Sequence, residues 1–125
     1  MSIGALIVDD EPDIRLLIRT INETADQGMS VSGEAAGGRE ALECLDEIDP
    51  EVIVLDLMMP EMDGIETATK IRERRPGQAI VMCTAFLTEE VRQRGSAAGI
   101  DLFLSKTQVA SIPDALQQAM DRSRR

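Results

Sequence analysis

Residues Val52 to Leu55 read V-I-V-L, and the run stops at once on Asp56. Consecutive β-branched and large apolar residues cannot alternate between a wet and a dry face, so the strand they form is covered on both sides. Parallel sheets with helices above and below make such strands, whereas an antiparallel sheet with one solvated face shows alternation. Asp56 then lies where a buried strand reaches the surface. Met58, Met59 and Pro60, followed by Asp63-Gly64, read as the loop that turns the chain into a helix. The carboxyl end of a parallel strand is where open α/β sheets hold their ligands.

The remaining chain repeats this grammar. Ile3 to Val8 is an apolar run ending at Asp9-Asp10-Glu11. Pro12 suits a first helical turn, and Ile14, Leu17, Ile18 and Ile21 predict a helix to about Thr24 with these four on its inner face. Asp26 to Gly28 read as a turn and Met29 to Ala35 as the second strand. After Gly37-Gly38, the residues Ala41, Leu42, Leu45 and Ile48 repeat at helical spacing, ending near Asp49-Pro50. Ile65, Ala68 and Ile71 give a third helix that closes with Arg72 to Arg75. Ala79 to Cys83 is a fourth strand followed by Thr84-Ala85. Thr88 caps a short fourth helix that ends in Gly95 to Gly99. Asp101 to Leu104 is a fifth strand ending at Ser105-Lys106, and Ser111 with Pro113 opens a last helix that carries Ile112, Leu116, Ala119 and Met120 inward. Its basic end, Arg122 to Arg125, suits the negative helix pole. Five strands alternating with five helices predict a doubly wound parallel sheet in three layers, with right-handed crossovers.

Composition narrows what such a sheet could do. With 125 residues the chain is expected to form one domain over residues 1–125 with a single core. A net charge of −10 argues against holding nucleic acid by itself, because that affinity comes largely from basic residues. No histidine is present, which excludes a Ser-His-Asp triad, a histidine base and a histidine-bound zinc. No apolar run approaches a membrane span and the N-terminus lacks a secretory pattern, so a cytoplasmic location without membrane contact is expected. Cys44 and Cys83 lack C-x-x-C spacing and read as small buried apolar residues.

Four strand ends deliver polar residues, namely Asp9 and Asp10, Asp56, Thr84 and Lys106, and a doubly wound sheet brings these ends to one edge. Singly, each has an ordinary explanation as helix capping, a strand-end hydroxyl or a solvated lysine. Their joint placement at the same end of different apolar runs does not. Carboxylates gathered in one crevice repel by about 4 kcal/mol per pair at 4 Å and an effective dielectric near 20, so a cation should relieve them. Oxygen ligands without cysteine or histidine favour a hard ion, and a shallow site suits Mg²⁺, which keeps waters and shares a phosphoryl oxygen. A carboxylate can form an acyl phosphate, which makes Asp56 the expected nucleophile, with Lys106 neutralising the transferring group and Thr84 donating a hydrogen bond to it.

Asp9-Asp10, the D-L-M-M-P-E-M-D-G run, Thr84-Ala85 and Lys106 together resemble the receiver domain of two-component response regulators, over essentially the whole chain. The resemblance implies a flavodoxin-like fold of strand order 2-1-3-4-5. It implies phosphorylation of Asp56 by a sensor histidine kinase, a phosphotransfer protein or a small phosphodonor. It also implies Mg²⁺ bound directly by Asp10, Asp56 and the Met58 carbonyl and through water by Asp9, with Thr84 and Lys106 on the phosphoryl group. Phe103, three residues before the lysine, matches the switch aromatic. The face made by the fourth helix, fifth strand and fifth helix would then change its affinity for partners, a second copy of the chain among them. Met58 and Phe86, two residues past the acceptor and two past the threonine, flank the path of the hydrolysing water in such domains. Both are apolar here, which predicts slow self-dephosphorylation.

One position departs from the pattern. Such domains usually carry a cis proline after the lysine, and here Thr107 stands there, for which a cis bond costs about 3 kcal/mol. Either the loop is trans and differently shaped, or strain is held in it. Receivers that precede a helix-turn-helix output domain often lack this proline, and the Gly33-Glu34-Ala35 run resembles theirs too, a resemblance that fits a receiver followed by a DNA-binding region as well as a chain that is a receiver alone. Other readings are weaker. A docking module that never takes up phosphate leaves the acid set unused. An aspartate-based phosphohydrolase usually needs a second aspartate where Met58 stands. A flavin-binding domain of the same topology would set Asp9, Asp10 and Glu11 against a phosphate.

Overall fold

The computed structural model describes residues 3–25 and 28–123. Strands β1 (Ile3–Val8), β2 (Met29–Ala35), β3 (Val52–Leu55), β4 (Ala79–Thr84) and β5 (Leu102–Ser105) pair in parallel in the order β2-β1-β3-β4-β5. Between them run helices α1 (Pro12–Thr24), α2 (Gly38–Ile48), α3 (Gly64–Arg74), α4 (Glu89–Ala97) and α5 (Ile112–Ser123). This is the flavodoxin-like, doubly wound architecture that the alternation of apolar runs requires. The expected turn residues Asp26 and Gln27, the N-terminal Met1 and Ser2, and the basic Arg124 and Arg125 lie outside the described residues.

The sheet divides the core in two. Val52 and Val54 face a layer containing Ile18, Leu116 and Ala119 of α1 and α5, while Ile53 and Leu55 face Leu45, Ala68 and Ile71 of α2 and α3. All four β3 side chains are at most 2 % exposed, as a strand without alternation must be. Each large side chain so buried contributes about 1.5–3 kcal/mol, so β3, like the fully buried β4 beside it, is firmly held. Asp63 caps α3 by accepting from the Glu66 amide at 2.8 Å, and Thr88 caps α4 by accepting from Val91 at 3.2 Å. Helix α4 is anchored lightly: Gly95 is its one fully buried residue.

Some expectations need correction. Leu17 faces outward at 42 % exposure, while Asn22 is buried on the inner face with its amide nitrogen on the Ile18 carbonyl at 2.8 Å. The amide nitrogen is met within its own helix, while Oδ1 is buried without a partner, so a polar side chain stands at a position that apolar periodicity would deny it at the cost of one unpaired oxygen. Cys44 is half-buried rather than buried. Strand β4 includes Thr84, and β5 starts at Leu102 because the Asp101 amide bonds to the Ile80 carbonyl and its carboxylate accepts from the Ile80 amide, at 2.9 Å each. Residues Lys106–Ser111 form a 3-10 segment ahead of α5. A bulge also interrupts β2: Ala5 pairs with Val31 but Leu6 with Gly33, so Ser32 is passed over. One extra residue exchanges the two faces of a strand. Met29 and Val31 consequently pack toward α1 and α5, whereas Ala35 packs toward α2.

Candidate functional site

Asp9, Asp10, Asp56 and Lys106 come together at the carboxyl edge of the sheet, each at or just past the end of its strand. The Asp9 amide bonds to the Ala35 carbonyl at 3.1 Å and the Asp56 amide to the Val8 carbonyl at 3.0 Å, so the sheet ladder runs on into the acids. Both side chains are nearly closed off, at 2 % and 4 % exposure. Asp56 Oδ1 accepts from the Leu57 amide at 2.7 Å, which leaves Oδ2 to point at Lys106. Lys106 Nζ stands 3.0 Å from Asp56 Oδ2, 3.1 Å from Asp9 Oδ2 and 3.3 Å from Glu11 Oε1. One ammonium thus bridges acids from the ends of two strands.

The charges do not balance. Oxygens of Asp9, Asp10, Glu11 and Asp56 all lie within 4.8 Å of one another, against the single Lys106. Burial pushes Asp9 above the usual carboxylate range, helped by the Asp56 charge and opposed by the Glu11 amide and Lys106. Burial works against the Lys106 charge as well, but hydrogen bonds to Asp56 and Asp9 outweigh it and hold the ammonium above its ordinary range. Because the folded pKa of Asp9 is raised, its contribution to stability is present below the unfolded value and is lost as pH rises through the folded one. The charged form of Asp9 is therefore the costly one in this crevice, a cost that a cation would return. Its donors are hard oxygens in an open crevice, which fits a divalent ion such as Mg²⁺ and gives a soft metal nothing to hold. A cavity of about 450 Å³ lined by Asp49, Glu51, Arg75 and Gln78 opens at the opposite edge of the sheet, remote from these groups.

Thr84 is fully buried, and its Oγ1 accepts from the Phe86 amide at 3.2 Å. The hydroxyl stands at the end of β4 beside Ser105, the residue before Lys106.

Residues 5–119 match the family described as the response regulator receiver domain. The chain belongs to that family. The chemotaxis protein CheY of Halobacterium salinarum is 36% identical over 121 residues, which span 96% of this chain and 98% of that protein. The response regulator protein VraR of Staphylococcus epidermidis is 34% identical over 122 residues, 97% of this chain and 58% of VraR, so the chain spans a little over half the length of that relative. The response regulator domain of Thermotoga maritima CheB superposes with a TM-score of 0.89 at 26% identity, covering 97% of this chain and 98% of that one.

In this receiver the Lys106–Thr107 bond is trans. Ser105 Oγ accepts from the Thr107 amide at 3.2 Å and the Gln108 side chain accepts from the Ser105 amide at 3.0 Å, a capping box that winds the chain into the 3-10 segment. Phe103 is half-buried. A Cβ at Gly95 would come within 2.7 Å of its Cζ, so the absent side chain of Gly95 makes the slot that the ring occupies. Arg92 lies over the ring with its guanidinium carbon 5.9 Å from the centroid. Met58 and Phe86 are both exposed, at 55 % and 59 %. Cys83, in the core under the site, has its thiol pushed up to about 12 by burial and is inert at neutral pH. Among the described residues no helix is long and apolar enough to cross a membrane.

Glu11 was not among the expected site residues. Its charge next to Pro12 reads as an ordinary helix start, and only the fold brings Lys106 to it from 95 residues away. Arg15, which donates to the Asp9 carbonyl at 2.7 Å, left no sequence signal either.

Proposed function

We propose that the chain is a single receiver domain over residues 1–125 that works as a phosphorylation-dependent cytoplasmic switch, with Asp56 accepting a phosphoryl group from a sensor histidine kinase or phosphotransfer protein. The observation that carries this reading is the grip of Lys106 on Asp56 Oδ2 at 3.0 Å inside a crevice with surplus negative charge. A carboxylate there is oriented by the Leu57 amide on one oxygen and presents the other to an incoming phosphorus. The new bond forms from Asp56 to phosphorus as the bond from phosphorus to the donor's leaving atom breaks. Mg²⁺, when held by Asp10, Asp56 and the Met58 carbonyl and through water by Asp9, supplies neutralisation of the charge spread over the transferring oxygens. Lys106 then exchanges its bond to Asp56 for one to the phosphoryl group. Thr84 is already inside the protein with its own proton free to donate, so its part is to turn its hydroxyl toward the phosphoryl oxygen, which draws Oγ1 away from the Phe86 amide from which it accepts. Loss of that bond frees the start of the β4–α4 loop, and with it the slot between Gly95 and Phe103. The α4–β5–α5 face then changes its affinity for partners, a second copy included, as a shift between two packings.

Incubation with phosphoramidate or acetyl phosphate and Mg²⁺, followed by intact-mass measurement, is expected to add one phosphoryl group, and excess chelator is expected to suppress it. No adduct with any donor would turn the reading toward a docking module that does not carry phosphate. The lifetime of the adduct gives a second expectation. Exposed Met58 and Phe86 offer an approaching water no hydrogen bond, so the acyl phosphate should be long-lived and Met58→Asn should shorten its lifetime several-fold. Following loss of the adduct by mass over time measures both forms, and a wild-type lifetime of seconds contradicts the expectation.

A further inference from the structure

The Gly33-Glu34-Ala35 run has no part in the chemistry above, yet each of its residues is bound into the foundation of the acid cluster. The bulge at Ser32 turns this end of β2 over. Gly33 then lies against Ile48 of α2, where a Cβ would come within 3.4 Å of Cγ1 and drive into the end of that side chain. Ala35 is buried and its carbonyl accepts from the Asp9 amide at 3.1 Å. Glu34 faces α1, where Oε1 meets Arg15 Nε at 3.0 Å and Oε2 meets Arg19 Nε at 2.7 Å. Hydrogen bonding to Arg19, against some burial and with help from Arg15, holds the Glu34 carboxyl below the usual range. Arg15 extends its other arm, Nη1, to the Asp9 carbonyl at 2.7 Å.

Asp9 is consequently gripped on both sides of its own backbone, by Ala35 at the amide and by Arg15 at the carbonyl. That carbonyl belongs to the peptide joining Asp9 to Asp10. Rotation of this peptide would turn both acids of the pair out of register with Asp56, and the Arg15 bond opposes the rotation. Glu34 is shared with Arg19 and meets only part of the charge of Arg15, so the geometric influence of Arg15 on a bound cation is the part that a charge-preserving change to lysine isolates. A guanidinium can serve Glu34 and a carbonyl at once because its donors form a rigid fork, which an ammonium lacks.

We infer that Arg15, itself held by Glu34, is a positioning residue for the cation site and acts through the main chain of Asp9. The inference rests on the reading of Asp9, Asp10 and Asp56 as Mg²⁺ ligands. Partners of this kind, one bond removed from the ligands, typically change metal affinity about tenfold or more. The test compares Arg15→Lys with Arg19→Lys, which loosens Glu34 without touching Asp9. The chain has neither tryptophan nor tyrosine, so Mg²⁺ binding is followed by titration calorimetry and folding by thermal melting. Arg15→Lys is expected to weaken Mg²⁺ about tenfold, and Arg19→Lys to leave it unchanged while lowering the melting temperature about as much. With Arg15→Lys, saturating Mg²⁺ should restore the wild-type maximal rate of adduct formation, so that the half-saturating Mg²⁺ concentration moves and the maximal rate does not. Glu34→Gln, which leaves Arg15 to hold Asp9 without its anchor, should weaken Mg²⁺ to an intermediate degree and serves if Arg15→Lys does not fold. Unchanged Mg²⁺ affinity in Arg15→Lys, or equal weakening in Arg19→Lys, overturns the inference. A wild type that binds Mg²⁺ yet takes up no phosphoryl group would remove the acceptor reading and leave the positioning inference standing, whereas a wild type that binds no Mg²⁺ overturns both.

Discussion

Asp56→Asn is expected to take up no phosphoryl group from any small donor, while remaining folded and keeping its place in the crevice. The asparagine carbonyl can still accept from the Leu57 amide, which holds Asp56 Oδ1 at 2.7 Å. Its amide nitrogen then faces Lys106, donor against donor, where the carboxylate oxygen now stands 3.0 Å from Nζ. The ammonium retains Asp9 and Glu11, so it has somewhere to go. What is lost is the nucleophile, since a neutral amide has no carboxylate oxygen to form the acyl phosphate. Removing one negative charge from a crowded set also lessens its repulsion, so the variant should melt no lower than the wild type without Mg²⁺. Intact mass and thermal melting measure the two halves of the expectation. An adduct that persists in Asp56→Asn would move the acceptor to another acid of the cluster.

Gly64→Ala should be far more damaging to the fold than its size suggests. Gly64 is the first residue of α3 and its amide bonds to the Leu57 carbonyl at 2.8 Å, pressing the helix start onto the end of β3. A methyl there would be 2.9 Å from Leu57 Cα and deep inside contact with the Asp56 carbonyl oxygen. Both neighbours are backbone, directly after the buried strand β3, so neither yields cheaply. Overpacking against such walls costs on the order of 3 kcal/mol, which in a domain of this size lowers the melting temperature by about 10 °C. Gly77→Ala is the control, because a Cβ there meets nothing within 4 Å and should change stability by less than about 0.5 kcal/mol. Equal melting of the two variants would mean that α3 can lift from the acceptor loop without loss.

How much of this was legible depends on the range of the interaction. Val52 to Asp56 declares a buried strand and its exit within five residues, and the same local grammar places Asp9, Thr84 and Lys106 at strand ends. The topology then does the rest, since parallel strands share an edge. The 3-10 segment carries a local signal too, because Ser105 and Gln108 stand at capping-box spacing, but no apolar period marks its length. Leu17 and Asn22 mislead for a different reason: a helical stripe says which positions are near the core and not whether a polar side chain can bond to its own helix there, as Asn22 does through its amide nitrogen alone. Arg15, Glu34 and Glu11 carry no periodic signal at all. Their partners lie 6 to 95 residues away, and charged residues beside a helix start have an ordinary local explanation.

The light anchoring of α4 bears on the contrast of the signal rather than on its chemistry. An element that fully buries one glycine and packs only Val91 beside it sits in a shallow well, so the two arrangements of the proposed switch would be close in free energy. Each difference of about 1.4 kcal/mol changes such a ratio tenfold, and a small gap therefore means a low threshold for input together with a steady background of output at rest. In the proposed switch, that background would follow how well the Phe103 ring fills the slot over Gly95. On that reading position 95 would act as a dial for leakiness, set by the size of one side chain in α4.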